Sequence, residues 1–389
     1  MRKILKTAID LALAILMLPM VSIMSLMAQT TTPPPQAFSA TVYLDYRSFL
    51  SNAGPTTLKP ASETTAYLNN QFVFRRAYFT YENKIGDNLK FRFRIDADNT
   101  ANVTGVTLTG SPISGVSLGK DDKLRPYIKH LYVEYANFLV PKMVLNVGMI
   151  ETLTFKPAED RWGLRSVAKT LADGYKDITK KEIYASSADI GATLKYSFSK
   201  YFRLAAGYYN GSHYSHAEND QYKEIELQAQ LSPVAGLSIV GYMDIERKLP
   251  VASLPAETKP GATTYKVDAF FEMVKNLVVA GEWFTYRNDL YQTDGQKYNV
   301  GGWSVFGRYV IKADKLQLFA RYDNYVPNSL DRGLDISLVI AGFDWAPYHA
   351  AWKLQPNIWL TSYKDGLRYN TGATKNRDIV FNLTFFLSF

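Results

Sequence analysis

Apolar and polar residues alternate along most of this chain. In the last twelve residues, Asp378 to Phe389, Ile379, Phe381, Leu383, Phe385, Leu387 and Phe389 share one parity, while Asp378, Asn382, Thr384 and Ser388 share the other. Leu89 to Asp98 is apolar at odd positions through Ile95 and charged at even ones, and Glu224 to Leu231 repeats the device. A period of two marks a strand with one apolar face. This pattern predicts sixteen strands, near 38–50, 72–83, 89–98, 127–136, 143–150, 187–197, 202–210, 222–231, 237–247, 263–273, 277–287, 299–311, 316–323, 335–345, 352–363 and 377–389.

The predicted connections alternate between short and long. Short ones carry turn residues, as in Gly86-Asp87-Asn88, Ser232 to Gly236, Lys275-Asn276 and Lys312 to Lys315. Long ones are expected at 51–71, 99–126, 151–186, 211–221, 248–262, 288–298, 324–334 and 364–376. An apolar strand at the end of a soluble chain is an aggregating edge unless it is covered or closed into a barrel. The expected fold is therefore all-β: a transmembrane antiparallel barrel of sixteen strands, with short periplasmic turns, long extracellular loops and a last strand closing on the first. The terminal Phe389 resembles the aromatic ending of bacterial outer-membrane barrels, which the barrel-insertion machinery reads.

Tyr81, Tyr135, Tyr196, Tyr309, Trp345 and Phe389 fall at the periplasmic ends of strands, on the lipid-facing parity. An interfacial aromatic girdle explains them, and so does the abundance of tyrosine, 27 residues in 389. At the start, Arg2, Lys3 and Lys6 precede an apolar run from Leu11 to Met27 and a small Ala28. Residues 1–28 read as a signal peptide, with an uncleaved anchor as the alternative, and 29–37 as a polar, proline-stiffened lead-in to a barrel over 38–389. The chain has no cysteine, which suits passage through an oxidising periplasm and excludes a lipoprotein. Of the net charge of +8, residues 1–28 carry +2. The remainder is too dispersed to imply a nucleic-acid partner.

A sixteen-stranded barrel is too wide for side chains to fill, so an aqueous channel is expected. With Leu89, Phe91, Phe93 and Ile95 towards lipid, Lys90, Arg92 and Arg94 face the lumen on successive rungs. Such a wall draws anions; equally, a lumen face accepts any polar side chain. On the eighth to eleventh strands Glu224, Glu226, Asp244, Glu246, Asp268, Glu272 and Glu282 are opposed by Lys266 alone, an acidic wall across the ring that favours a general or cation-preferring pore. In the third long loop, Arg161, Arg165 and Lys169 recur every four residues beside a stripe of Leu164, Val167, Ala168 and Leu171, with Gly174 as a stop. This spacing predicts either an amphipathic helix inside the barrel, apolar face on the wall and cations at the constriction, or an exposed loop with scattered charges.

Catalytic signals are scarce. His213-Ser-Tyr-His216 is a weak chelating pair with no third ligand, and Glu159-Asp160 and Asp121-Asp122 read as solvated loop acids. No cofactor is expected. An outer-membrane enzyme or adhesin scaffolded on the barrel is the rival class.

Phe72 to Gly86, Lys90 to Asp96, Leu131 to Tyr135, Leu145 to Gly148, Gly281 to Trp283 and Leu318 to Asp323, taken in order, resemble the phosphate-selective porin O and P family. The resemblance implies a sixteen-stranded homotrimeric porin in outer-membrane lipid, a constricting third loop and a preference for anions. It also implies a ladder of arginines and lysines, of which Arg76, Arg92 and Arg94 are a partial counterpart. The expected function is a passive channel for a small-molecule or ion solute, with Arg76, Lys90, Arg92, Arg94, Arg161, Arg165 and Lys169 lining the pore.

Overall fold

The computed structural model describes residues 36–51, 70–98, 102–109, 115–121, 125–174, 187–214, 218, 220–248, 260–293, 295–365 and 376–389. The signal segment 1–28, most of the lead-in and His216 lie outside them. The strands are β1 (Gln36–Ser51), β2 (Asn70–Ile85), β3 (Leu89–Asp98), β4 (Asn102–Thr109), β5 (Gly115–Asp121), β6 (Arg125–Ala136), β7 (Met143–Glu151), β8 (Ala188–Ser197) and β9 (Phe202–Tyr209). They continue with β10 (Glu224–Val234), β11 (Leu237–Arg247), β12 (Gly261–Phe271), β13 (Leu277–Thr293), β14 (Gln296–Lys312), β15 (Leu316–Val326), β16 (Ile336–Trp345), β17 (Trp352–Tyr363) and β18 (Arg377–Ser388).

All but β4 and β5 form one closed antiparallel barrel of sixteen strands, ordered as in the chain, with β18 returning to β1. Closure is carried to the last residue: Ala40 N–H donates to the Phe389 carbonyl at 2.6 Å and Phe389 N–H donates back at 3.0 Å. A sheet closed in this way has no unpaired edge, as a lipid-exposed sheet requires. Three strands, β3, β11 and β17, coincide with their predicted limits.

Two connections differ from expectation. Residues 288–298 are not a loop, because β13 and β14 run on into a tall hairpin in which Thr293 pairs with Gln296. The stretch 99–126 contains its own hairpin, β4 paired with β5. Both segments have the polar composition of loops, which hides short-range pairing. The short turns form where the sequence supplies left-handed positions: Gly86 (φ 67°), Gly236 (φ 79°), Asn276 (φ 66°) and Asp314 (φ 55°).

Outward residues carry the apolar belt, among them Leu227, Val267, Val305 and Phe381, and Tyr309, Trp345 and Phe389 are exposed at its periplasmic margin. The Tyr81, Tyr135 and Tyr196 rings lie against Phe38, Phe138 and Phe198 near the same margin. The inward face is not uniformly polar. Phe284, Phe306, Phe319, Leu338, Ile340 and Trp359 point inward and are buried, so that β16 is apolar on both faces. They form one buried cluster with residues of the third loop and of the tall β13–β14 hairpin.

Candidate functional site

Between β7 and β8 the chain forms two short helices, α1 (Lys156–Trp162) and α2 (Leu171–Gly174). The helix expected across Arg161, Arg165 and Lys169 is interrupted. Gly163 adopts φ 62° at the end of α1, its N–H donating to the Glu159 carbonyl at 2.8 Å. A Cβ there would lie 2.9 Å from the mobile end of the Arg308 side chain, so it is the left-handed conformation, more than space, that favours glycine. The three cations are therefore not one helical face.

The loop's apolar residues form a single cluster with the inward residues of the barrel wall. Trp162, Leu164, Val167, Ala168, Leu171 and Ala172 are buried with Phe270, Phe284, Phe306, Phe319 and Leu338. The Trp162 indole packs edge-on to Phe306 (5.4 Å) and Phe319 (5.8 Å) and donates to the Ala168 carbonyl at 2.8 Å. Burial of such a side chain is worth roughly 3–5 kcal/mol, judged by the cost of truncation.

Acidic residues of the opposite wall hold the loop's backbone. Glu226 accepts from Leu153 N–H at 2.7 Å and from Thr154 and Tyr242 hydroxyls. Glu282 accepts from Leu171 and Ala172 N–H groups, both at 3.2 Å. Asp268 and Glu282 flank the buried Lys266 ammonium at 2.5 and 3.5 Å. The acidic wall read from β10 to β13 is thus largely consumed by internal contacts: a buried carboxylate needs donors, and the loop supplies them.

From there the loop reaches the other side. Arg75 donates to the Val167 carbonyl at 3.0 Å, and Arg165 donates to the Tyr78 hydroxyl at 3.3 Å, both partners being on β2. In a ring of sixteen, β2 and β12 are opposite. The loop therefore bridges the lumen from wall to wall.

The predicted site residues divide into three groups. Arg165 and Lys169 are on the loop but paired within it: Arg165 with Glu159 and with Asp173 at 2.7 Å, Lys169 with Asp173 at 3.2 Å. Glu159 is accordingly a paired residue in the lumen, not a solvated loop acid. Burial raises its carboxyl above the usual range even though Arg165 pulls the other way. Burial likewise opposes ionisation of Asp173, but Lys169 and Arg165 together hold it well below that range. Arg161 lies apart, over the Phe270 ring and 3.4 Å from Glu272.

On the strands, Lys90 and Arg92 face the lumen and share Glu82, at 3.1 and 3.5 Å, with Glu151 4.0 Å from Arg92. Arg76 pairs with Asp96 at 3.2 Å. Arg94 alone of these strand cations forms no ion pair among the described residues. It donates to Thr80 Oγ1 at 2.8 Å and lies over the Tyr78 ring at 5.0 Å.

Two residues of this wall, Arg75 and Lys129, escape a reading by parity, whereas Tyr78 shares the inward parity of Arg76. Arg75, Lys129 and Tyr78 complete it: the Lys129 ammonium is 3.1 Å from Asp96 and 5.4 Å from the Tyr78 ring. Arg75 and Lys129 stand at outward parity, yet β-bulges beside them turn both inward with their neighbours Arg76 and His130. The signal was two adjacent polar residues in a strand, since a charge left on the lipid face costs several kcal/mol, about 2–4 at the midplane.

No family model and no curated protein matches this chain. Solved structures match its fold. An outer-membrane channel of Acinetobacter baumannii, DcaP, is 13% identical, with a TM-score of 0.58 over 92% of this chain and 99% of that one. An anion-selective porin from Comamonas acidovorans is 10% identical, with a TM-score of 0.58 over 91% and 99%. OmpF of Salmonella typhi is 8% identical, with a TM-score of 0.60 over 92% and 98%. At these identities the likeness establishes the architecture: this chain has the barrel fold of outer-membrane porins.

Proposed function

We propose that the protein is a passive outer-membrane porin, that the bridge formed by residues 152–174 is its constriction, and that it passes small solutes with a preference for anions, phosphate among them. The observation that carries this reading is the unequal fate of the two walls. Glu226, Asp268 and Glu282 are buried and occupied by the loop and Lys266, whereas Lys90, Arg92 and Arg94 remain half-buried on the lumen face. Cations that stay accessible in a narrow, low-dielectric passage lower the cost of bringing an anion out of bulk water. Of Arg76, Lys90, Arg92 and Arg94, Arg94 is the one that forms no ion pair among the described residues.

The barrel's likeness to channels, one described as anion-selective, supports the same reading. The homotrimer, and recognition of the exposed Phe389 by the insertion machinery, belong to it as well.

The test is the reversal potential of single channels in a planar bilayer under a KCl gradient. A potential displaced towards chloride, reduced or reversed in Arg92→Glu/Arg94→Glu, supports an anion channel. A potential near zero or towards potassium identifies a general or cation-preferring pore, and absence of conductance favours a scaffold for an enzyme or adhesin.

A further inference from the structure

Arg321 projects into the barrel from the middle of β15 and is only 3% exposed, so its charge is not offered to a solute. Three contacts fix its guanidinium. Nε and Nη2 fork onto the Asp323 carboxylate at 2.7 and 2.6 Å. Nη1 donates to the Lys169 carbonyl of the third loop, and the group lies over the Trp162 ring at 5.5 Å. A two-bond fork leaves the planar group little freedom to turn, so the buried Asp323 aims the remaining N–H groups at the loop.

The loop segment at this point is gripped by both polar ends of its backbone. Arg321, a cation on β15, takes the Lys169 carbonyl, and Glu282, an anion on β13, takes the Leu171 and Ala172 N–H groups. The apolar cluster around Trp162 presses the loop to the wall, but burial of apolar surface has no direction and does not fix where the loop lies along it. Charge-assisted hydrogen bonds do. Beside the gripped segment stand charged side chains that reach the lumen: Lys169, 30% exposed, pairs with Asp173, which also accepts from Arg165.

We propose that Arg321 is a positioning residue of the constriction. Through the Lys169 carbonyl it sets where the cluster of Lys169, Asp173 and Arg165 stands in the lumen, without meeting solute itself. This rests on the reading that residues 152–174 form the constriction.

The experiment is a double-mutant cycle on the full-length barrel. It reads the single-channel reversal potential under a KCl gradient, protease cleavage within residues 152–174, and the melting transition in detergent. In the wild type, Lys169→Glu is expected to move the potential towards potassium. Arg321→Lys keeps a charge beside Asp323 but has no fork. In that background the movement should fall to about half or less, the non-additivity expected of coupled residues. Cleavage should be about tenfold faster, the scale of a lost charged hydrogen bond, with the melting transition retained. If Arg321→Lys does not fold, Arg321→Met/Asp323→Leu replaces it and is read in the same way, because it removes both buried charges together. Additive effects with wild-type cleavage overturn the proposal, whether or not the melting transition falls. If Lys169→Glu moves nothing in the wild type, the constriction reading fails, and cleavage alone decides whether Arg321 holds the loop.

Discussion

The acidic wall of β10 to β13 and the basic wall of β2, β3 and β6 look alike as strings of charges, and they differ in what meets them. Glu226 is fully buried, and its two oxygens are taken by a backbone N–H and two hydroxyls. Lys90, about one-third exposed, keeps a face to the lumen beside Glu82. A carboxylate whose oxygens are taken by buried donors contributes less to the field a solute meets, because those dipoles are already oriented against it. Counting acids and bases along the strands therefore describes the lumen poorly. Which of them are occupied describes it better.

The sharpest way to break the contrast is to remove what holds the loop. Trp162→Ala deletes the indole between Phe306 and Phe319 and should cost about 3–5 kcal/mol in loop docking. The expected outcome is a larger single-channel conductance and new protease cleavage between residues 152 and 174, while the barrel stays closed. Unchanged conductance would mean that the bridge does not limit flow.

Glu282→Ala should act in the same direction with a smaller effect. It leaves the Leu171 and Ala172 N–H groups without their acceptor and the Lys266 ammonium with Asp268 as its carboxylate partner. Each buried group so exposed costs about 1–3 kcal/mol. A lower melting temperature in detergent and noisier channels are expected; a variant that is as stable and as quiet as wild type would show that the acidic wall is not the loop's anchor.

The smallest effect is with pH. Glu159 has its carboxyl raised by burial, so it takes up a proton at a higher pH than an ordinary glutamate, while Asp173 stays ionised. As pH falls from neutrality towards the ordinary carboxylate range, the loop gains positive charge at Arg165, and the reversal potential should move further towards chloride. In Glu159→Gln this drift should vanish over the same interval. The stability sign is consistent: a raised carboxyl favours folding while protonated, and that contribution is lost as pH rises through its folded value.

Much of the architecture was legible because a lipid-facing sheet enforces a period of two on every strand. Leu89 to Asp98 shows it without interruption, and the predicted strand matches β3 to the residue. Strand β16, predicted to within one residue, lacks that alternation for a physical reason: Ile336, Leu338 and Ile340 belong to the buried cluster that the loop joins and are as apolar as their outward neighbours. The inward positions of Lys90, Arg92 and Arg94 followed from parity, whereas those of Arg75 and Lys129 did not, since each depends on a bulge set by pairing with another strand.

The sequence by itself determined the barrel, the order of its sixteen strands and which residues of regular strands face inward, since these follow from local alternation and turn chemistry. Tertiary structure decided the rest. Glu82 opposes Arg92 through the β2–β3 register, Gly163 breaks the loop helix against Arg308, and Glu282 meets a backbone 110 residues away in the chain. Contacts of that range depend on how the ring closes and what crosses it, and no local pattern encodes them.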